Sequence, residues 1–321
     1  MSGSMPRSRA RRPLRSGIRC VAFAYHILAH KQPDQVARLI RALQHPDDCF
    51  VLHFDRRAPA SLHALSRELA RDNRNVLVQR PRAVIWGGPA ISDLQTEAMQ
   101  LALEHAPAWR HFVNLTGQDF PLTSRAERQT RLAAAPGRSY LSWFDPLATT
   151  QWSNARERLE RHHLHAPWLA RLLGVPGLGR RLRAILGWQN RLPYWPGRRR
   201  RLPVFFKYYG GSNYMVLARA ACRYLVSAPE AKRIRTWLSS AAHPDEIVFQ
   251  SVLLNSPLAA TLENRDWREI DFPPHDPHPR TLTQADWPRL RDSRQLFARK
   301  FDIAVDATIL DRIAEHIRPA A

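Results

Sequence analysis

Three short polar segments follow apolar stretches early in the sequence, and their side chains are well placed for chemistry. They are His30-Lys31, His53–Asp55 and Thr116–Asp119. A carboxylate such as Asp55 can accept a hydrogen bond from a nucleobase N–H or a ribose hydroxyl. If the apolar stretches are neighbouring parallel strands, the three polar ends meet at one edge of the sheet. Open α/β sheets bind their ligands at that edge.

Several motifs that would define a chemistry are absent. The sequence has no GxGxxG after the first apolar stretch, no GxxxxGK[ST], no GxSxG and no HExxH. Nicotinamide enzymes, P-loop NTPases, serine hydrolases and zinc metalloproteases are therefore disfavoured. There is also no DxD pair, which would offer a divalent cation the hard oxygen ligands it prefers.

Metal and disulfide sites are likewise not expected. Cys20, Cys49 and Cys222 are widely spaced and form no CxxC pair, so neither a disulfide framework nor a zinc cluster is predicted. His26, His30 and His53 lie near strand ends without a carboxylate at a diagnostic spacing, which favours structural histidines over metal ligands. Few cysteines indicate a reducing, cytoplasmic location.

Apolar spacing over the first third predicts alternating strands and helices. Predicted strands cover Ile18–Leu28, Cys49–Asp55, Asn75–Gln79 and His111–Gly117, and predicted helices cover Lys31–Leu43, Ser61–Arg71 and Ala90–His105. This alternation is typical of a parallel sheet with helices on both faces. The later part predicts a strand pair, Val204–Tyr209 and Asn213–Leu217, and helices at Arg219–Val226, Glu230–Ser239 and Pro244–Leu254.

The domain organisation follows from composition along the chain. Residues 1–17 are basic and are predicted to be a disordered arm, residues 18–317 form one domain, and residues 318–321 are a tail. Residues 151–203 are basic and rich in Trp and Pro, which predicts an insertion of short helices and loops. No apolar run reaches the roughly 18 to 20 residues of a membrane helix, and no secretory signal is evident.

The net charge of +21 comes from 49 Lys+Arg against 28 Asp+Glu, and only four of these cations are lysine. Arginine is thus the default cation of this chain, and a lysine at a given position is the more informative choice. With 44% hydrophobic and 24% charged residues the chain has a globular composition. The charge suits polyanions, anionic membranes or phosphate-bearing substrates.

Five blocks in order carry a family resemblance. They are Trp86-Gly87-Gly88, Asn114–Leu122, Gly210-Gly211-Ser212, His243–Glu246 and Leu296–Asp302. With them the chain resembles, from Ala24 to Asp311, the core-2/I-branching family (glycosyltransferase family 14), which comprises β-1,6-N-acetylglucosaminyltransferases and protein O-xylosyltransferases. Several blocks, among them VLLNSP at Val252–Pro257, are more similar to the xylosyltransferase branch.

The resemblance implies an α/β fold of the GT-A type, with a Rossmann-like mixed sheet and helices on both faces. It also implies an inverting transfer of xylose or N-acetylglucosamine from a UDP-sugar to a hydroxyl acceptor, with no metal and no other cofactor. Glu246 matches the family's catalytic base, and Arg268 and Lys300 match the cations that hold the diphosphate. The remaining matched positions are nucleotide-binding His30, Asp55, Trp86 and Gly87, and pocket residues Asp119, Gly211, Ser212 and Asp245.

Structural alternatives exist for several of these residues. Glu246 follows Pro244 at a predicted helix start, where an acidic side chain interacts with the helix dipole. Arg268 could be an ordinary surface charge. Asp119 lies in a turn, where Asp often binds neighbouring backbone amides, and Trp86-Gly87 could form a turn of purely structural value.

The basic insertion leaves its partner open. Its arginines interleave with aromatic residues at Trp188, Tyr194 and Trp195. The first interpretation is a solvated loop. The second is peripheral contact with the inner face of an anionic membrane, and binding of nucleic acid is the least favoured. The same features leave two rivals to catalysis, a basic nucleic-acid-binding protein and a degenerate transferase that only binds glycans.

Overall fold

A computed structural model of the chain describes residues 22–106, 109–149, 152, 154–165, 181, 194–273 and 278–318. The predicted basic arm at residues 1–17 and most of the predicted insertion lie outside the described residues. The helices are α1 Pro33–Leu43, α2 Ala60–Asp72, α3 Ala90–His105, α4 Arg125–Ala133, α5 Ala155–Glu160, α6 Arg219–Ser227, α7 Pro229–Leu238, α8 Val248–Leu254, α9 Trp287–Arg291 and α10 Thr308–His316.

Strands in the described ranges form three sheets. They are β1 Ala22–Ala29, β2 Cys49–Phe54, β3 Val76–Val78, β4 Trp109–Thr116, β5 Asp119–Pro121, β6 Ser139–Leu141, β7 Arg161–His163, β8 Tyr194–Arg199, β9 Met215–Ala218, β10 Leu262–Asn264, β11 Arg268–Ile270 and β12 Phe297–Arg299. The largest sheet has the order β10-β6-β9-β4-β1-β2-β3. The smaller sheets are β11-β12-β5 and the pair β7-β8.

The main sheet is mixed. Strands β4, β1, β2 and β3 run parallel, whereas β9 runs antiparallel to both β4 and β6. The α/β prediction with a mixed sheet is confirmed, and the early strands whose alternation with helices predicted a parallel arrangement do run parallel. The antiparallel direction matters for the site, since it brings the start of β9 to the edge where β4 ends.

Helices cover both faces of the sheet, as predicted. In β1, Phe23, Tyr25 and Ile27 pack with α1, α2 and α10 on one face, while Ala22 and Ala24 pack with α3, α6, α7 and α8 on the other. Side chains of a strand alternate between faces, so one continuous apolar strand serves two cores. Full burial of each large apolar side chain contributes about 1.5–3 kcal/mol.

Two predicted elements near the site differ from the structure. Val204–Tyr209 is not a strand, and nearby Gly210 makes only an isolated bridge to Phe144. The predicted helix Pro244–Leu254 is broken at Ile247, which has φ −130°, so that a 3-10 turn at Pro244–Glu246 precedes α8. The break gives Glu246 its own position rather than a place in the first turn of a long helix.

The C-terminal segment is fastened to the same sheet edge by Gln35 of α1. Its amide Nε2 donates to the carbonyls of Gly117 at 2.7 Å and Phe301 at 3.0 Å, and its Oε1 accepts from the backbone N–H of Ile303 at 2.8 Å. Gln35 is fully buried, and buried polar groups stabilise a fold when they are satisfied in this way. The residues after β12 are thereby held beside the ends of β1 and β4.

Candidate active site

The three polar strand ends meet, as the sequence predicts. The backbone N–H of Asp55 donates to the carbonyl of Ala29 at 2.9 Å, and that of Gly117 donates to the carbonyl of Leu28 at 2.8 Å. The ends of β2, β1 and β4 are therefore adjacent along one edge of the sheet. This is the edge at which ligands of open α/β sheets bind.

Asp55 is fixed in an ionised state at this edge. Its carboxylate accepts from Arg57 Nε at 3.0 Å and from the backbone N–H groups of Arg57 and Val84 at 2.8 Å each. Burial works against the charge, but the hydrogen bonds from Arg57 and Val84 outweigh it and hold the pKa of Asp55 far below its usual range. His30, on the exposed side of the edge, has its pKa lowered by partial burial and by Lys31, which keeps it neutral.

A group of cations lies where β12 ends. Arg299 Nη1 donates to Thr116 Oγ1 at 3.1 Å and to the hydroxyl of Tyr214, and it lies 3.4 Å from Asp119 Oδ1. Lys31 is paired with Asp302 at 3.0 Å. Lys300 follows Arg299 directly, is partly exposed, and has no carboxylate within ion-pair distance in the described part of the chain. It is therefore the cation of this group that is free to meet an anion.

Arg268 belongs to the same group but lies beneath it. The side chain is buried, with Nη2 donating to the carbonyl of Asn114 at 2.7 Å and Nη1 to that of Asp266 at 3.1 Å. Its guanidinium lies 4.5 Å from the ring centre of Phe297 and 5.4 Å from that of Tyr214. Burial lowers its pKa, yet arginine remains charged in proteins. The surface-charge alternative for Arg268 does not fit this burial.

Asp119 serves the turn between β4 and β5. Its Oδ2 accepts from the backbone N–H of Thr116 at 2.5 Å, and its side chain is fully buried beside Arg299. This is the geometry of the structural alternative for an aspartate in a turn. Through the contact with Arg299, Asp119 also orients one of the cations at the end of β12.

Two acidic side chains stand side by side across from these cations. Glu246 pairs with Arg158 Nη1 at 2.8 Å, and its side chain is one-third exposed. Asp245 is buried and accepts from Asn213 Nδ2 at 3.0 Å. Burial and the neighbouring charge of Glu246 raise the pKa of Asp245 to about 7, and burial also raises the pKa of Glu246 although Arg158 opposes that rise. Of the two carboxylates, Glu246 is the one an incoming molecule can reach.

Trp86 and Gly87 contact His243, which precedes the acidic pair in the chain. The carbonyl of Gly87, which has φ +77°, accepts from the backbone N–H of His243 at 2.8 Å. The rings of Trp86 and His243 meet edge to face with centres 4.3 Å apart, and Trp86 is 60% exposed. Burial lowers the pKa of His243 to about 3, so this ring is neutral. The structure thus places Trp86 and Gly87 against His243, in the same turn as the acidic pair, and their nucleotide-binding role stays a prediction.

Gly211 and Ser212 hold the acidic pair from the other side. The backbone N–H of Gly211 donates to the carbonyl of Glu246 at 2.9 Å. A Cβ at Gly211 would lie 2.0 Å from the carbonyl oxygen of Ser142, so only glycine fits there. Ser212 is fixed by a bond from its N–H to Ser142 Oγ at 3.0 Å. Both residues therefore position the site through the backbone.

Two consecutive residues join the acidic pair to the cations. Asn213 contacts Asp245, and Tyr214 contacts Arg299 and stacks beside Arg268. Their Cα atoms are about 3.8 Å apart, as in any trans peptide. Asn114 holds the backbone on either side of Tyr214, donating to the carbonyl of Asn213 at 2.7 Å and accepting from the N–H of Met215 at 2.8 Å. A carboxylate and several cations are thus presented on two sides of one small region.

Four residues of this region escape prediction from the sequence. Arg158 is one arginine among many in a basic stretch, and nothing in its neighbours marks it. Asn213 and Tyr214 directly follow the Gly210-Gly211-Ser212 block, and Arg299 precedes the singled-out Lys300, so proximity to those blocks was a usable signal. No group of three or more His, Cys, Asp or Glu that could hold a metal ion is found among the residues the structure describes.

A sequence model of the family "Branch: Core-2/I-Branching enzyme" matches residues 23–292. This match covers most of the chain, so the chain belongs to this family. The site residues Arg299, Lys300 and Asp302 lie beyond the matched range. The resemblance read from the five sequence blocks is confirmed.

The curated relatives are similar at low identity. Mouse beta-1,3-galactosyl-O-glycosyl-glycoprotein beta-1,6-N-acetylglucosaminyltransferase 4 is 27% identical over 72% of this chain and 46% of its own length. Dog xylosyltransferase 2 is 27% identical over 92% of this chain and 34% of its own. Arabidopsis beta-glucuronosyltransferase GlcAT14B is 26% identical over 86% of this chain and 61% of its own. The chain therefore spans from about a third to three-fifths of the length of these relatives.

Among solved structures, the galactosyltransferase LgtC in complex with donor and acceptor sugar analogues aligns with 92% of this chain at 8% identity and a TM-score of 0.39. That likeness is too remote to build on. In the described ranges no helix is both long and apolar enough to cross a membrane.

Proposed function

We propose that this protein is an inverting, metal-independent glycosyltransferase that moves a sugar from a UDP-sugar to a hydroxyl of a glycan, forming a β-linkage. The observation that carries the proposal is that two consecutive residues contact the two charged groups: Asn213 contacts the acidic pair and Tyr214 contacts the cations. It supports a base and a diphosphate site within the span of one sugar nucleotide. Membership of a family whose relatives are named as transferases supports the same activity.

Glu246 is the base of the proposed reaction. An acceptor hydroxyl attacks the anomeric carbon, its proton passes to the Glu246 carboxylate, and the bond from the anomeric carbon to the diphosphate oxygen breaks on the opposite face. UDP leaves with the electron pair of that bond, so the single displacement inverts the configuration. A base placed within about 3 Å of the hydroxyl contributes typically 10²- to 10⁴-fold to the rate.

Lys300 and Arg268 stabilise the leaving diphosphate in this proposal, as fixed cations do where negative charge develops. Lys300 makes the direct contact, because it is partly exposed and no carboxylate competes for it in the described chain. Arg268 acts from below: its buried charge lies under Tyr214 and raises the positive potential at the end of β12. Arg299 is held beside Lys300 by Thr116, and the charge of Arg299 is partly offset by its ion pair with Asp119. The positive charge of these side chains stabilises the leaving diphosphate, which is the role of a divalent metal in other transferases.

The uridine side of the proposed site is the edge formed by β1 and β2. Asp55 anchors Arg57 and the backbone at Val84, and His30 stands exposed next to them. Trp86 and Gly87, which pack on His243, then lie between the nucleotide and the acceptor. The exposed Trp86 ring beside His243 suits the apolar face of a sugar.

Donor and acceptor identities are part of the proposal. Xylose and N-acetylglucosamine are the candidate donor sugars, and the name of the plant relative adds glucuronic acid to those worth testing. The acceptor is a cell-surface polysaccharide or a lipid-linked glycan. A cytoplasmic location is part of the proposal and rests on the scarcity of cysteine in the sequence.

Purified protein assayed against a panel of UDP-sugars tests the proposal. We expect UDP release with one of the three named sugars, and undiminished release in excess EDTA. Identical incubations with GDP-sugars serve as the control for nucleotide selectivity. Release from no member of the panel, with or without candidate glycans, would contradict the activity, and complete loss in EDTA would contradict the metal-free mechanism.

Replacing Lys300 with Ala is expected to weaken UDP binding about tenfold or more while leaving uridine binding nearly unchanged. Lys300 contributes through charge–phosphate contact, and a charge-assisted bond is worth about 1.5–3 kcal/mol. Calorimetric titration with UDP and uridine measures both affinities. Lys232→Ala, at an exposed position of α7, is the matched control. Equal losses for UDP and uridine would remove Lys300 from the diphosphate site.

A further inference from the structure

Val204 and Phe205 form an exposed apolar tip in the segment between β8 and Gly210. Val204 is fully exposed and Phe205 is 40% exposed. The next aromatic residues are buried and fix the base of the tip, since the rings of Phe206 and Tyr208 lie 5.8 and 5.6 Å from that of Trp237 in α7. Two large apolar side chains are thus displayed on a rigid support rather than left on a loose end.

The surface around the tip combines apolar and cationic groups. An open hollow of about 500 Å³ is lined by Phe205, Pro229, Lys232, Arg233, Thr236 and Trp237. The Arg233 guanidinium lies 3.9 Å from the ring centre of Phe205. We call the tip and this hollow the Val204 surface.

Charge on the Val204 surface is positive. The hollow is lined by two exposed cations, Lys232 and Arg233, and the exposed Arg201 and Lys207 flank the tip in the sequence. Lys207 is paired with Asp145 at 3.3 Å, and Glu230 follows Pro229 of the hollow at the start of α7. Within the described ranges, Arg201, Lys232 and Arg233 have no carboxylate within ion-pair distance, so positive charge is in excess here.

We propose that the Val204 surface docks on an anionic lipid membrane. Val204 and Phe205 enter the boundary between headgroups and acyl chains, and the surrounding Lys and Arg side chains contact lipid phosphates. This is the arrangement by which peripheral proteins bind membranes, with apolar burial and electrostatic attraction added together. The proposal does not depend on the proposed transferase activity, because none of these residues belongs to the site.

Two other partners fit the Val204 surface less well. A fully exposed aliphatic tip gains nothing from a nucleic-acid backbone, and Arg233 already lies near the ring of Phe205 that a base would stack on. A polar glycan offers Val204 no apolar surface to bury. A bilayer satisfies the aliphatic tip and the cations together.

Sedimentation with vesicles tests the docking. The full chain is mixed with vesicles of phosphatidylcholine alone or with about one-quarter phosphatidylglycerol, at roughly 0.1 M salt. We expect binding to the anionic vesicles only, weakening as salt rises. The variant V204S/F205S should bind about tenfold or more weakly, because both inserted side chains are lost. K232Q/R233Q should bind more weakly and with less dependence on salt.

The matched control removes one exposed Val and one exposed Phe from elsewhere on the chain. Val305 is 62% exposed and Phe272 56% exposed, and V305S/F272S should bind vesicles like the parent protein. Thermal unfolding of each variant checks that its fold is intact. The docking is overturned if V204S/F205S binds as tightly as the parent, if the control loses as much, or if neutral and anionic vesicles bind equally.

Discussion

Replacing Glu246 with Gln is expected to abolish sugar transfer while leaving UDP affinity nearly unchanged. The amide keeps the shape of the side chain and can still accept from Arg158, but it cannot take the proton of the acceptor hydroxyl. We expect kcat to fall about 10²- to 10⁴-fold, the usual contribution of a positioned base. Release of UDP under acceptor saturation measures the loss, and calorimetric titration with UDP checks the binding site.

The neighbouring carboxylate provides the matched control. Asp245→Asn preserves an acceptor for Asn213 Nδ2, so the loss of kcat should be much smaller than in Glu246→Gln. Because the charge of Glu246 raises the pKa of Asp245 to about 7, Asp245 is still protonated where Glu246 ionises, and Asp245→Asn should leave the acidic limb of activity nearly in place. If instead Asp245→Asn is inactive and Glu246→Gln turns over normally, Asp245 is the base.

The sheet edge of the site could be predicted from the sequence because its signals are local. Buried parallel strands appear as continuous apolar runs, and the polar residues that end them mark the edge. The predicted helix at Ala90–His105 coincides with α3, since a long amphipathic pattern specifies its own period. The convergence of His30, Asp55 and Thr116 then follows from parallel geometry alone.

The contacts that complete the site join residues far apart in the chain, so no local sequence pattern predicts them. The pair formed by Arg158 and Glu246 joins residues 88 positions apart, and an arginine in a basic stretch looks the same whether or not it finds such a partner. The antiparallel entry of β9, which carries Asn213 and Tyr214 to the site, depends on pairing with β4 and β6. Val204–Tyr209 has the residue types of a strand, but it pairs with no strand, and Val204 and Phe205 are exposed instead.

The buried position of Arg268 also could not be predicted from the sequence. Its burial depends on the small sheet, in which Arg268 of β11 is the parallel partner of Phe297 in β12. A buried arginine is uncommon and requires hydrogen-bond acceptors, and here two backbone carbonyls supply them. Only the assembled strands show that this cation lies below the site while Lys300 stands at its surface.

Arg158 is expected to set the pH range over which Glu246 can act. Burial raises the pKa of Glu246, and the Arg158 guanidinium at 2.8 Å opposes that rise. A base works only when deprotonated, so activity is present above the pKa of Glu246 and lost as pH falls through it. Replacing Arg158 with Gln removes the opposing charge, the pKa rises further, and the acidic limb of kcat/KM should move up by about one unit or more.

At a fixed pH on the acidic limb, a shift of one unit lowers kcat/KM about tenfold, and activity should return at higher pH. That recovery distinguishes control of the pKa from simple damage to the fold, which would lower activity at every pH. Arg158→Lys keeps the charge and should restore most of the parent profile. Arg156→Gln removes an arginine from the same helix, one that is largely exposed and paired with Glu160 at 3.0 Å, and should leave the profile unchanged. An acidic limb that stays in place in Arg158→Gln would show that Arg158 does not tune the base.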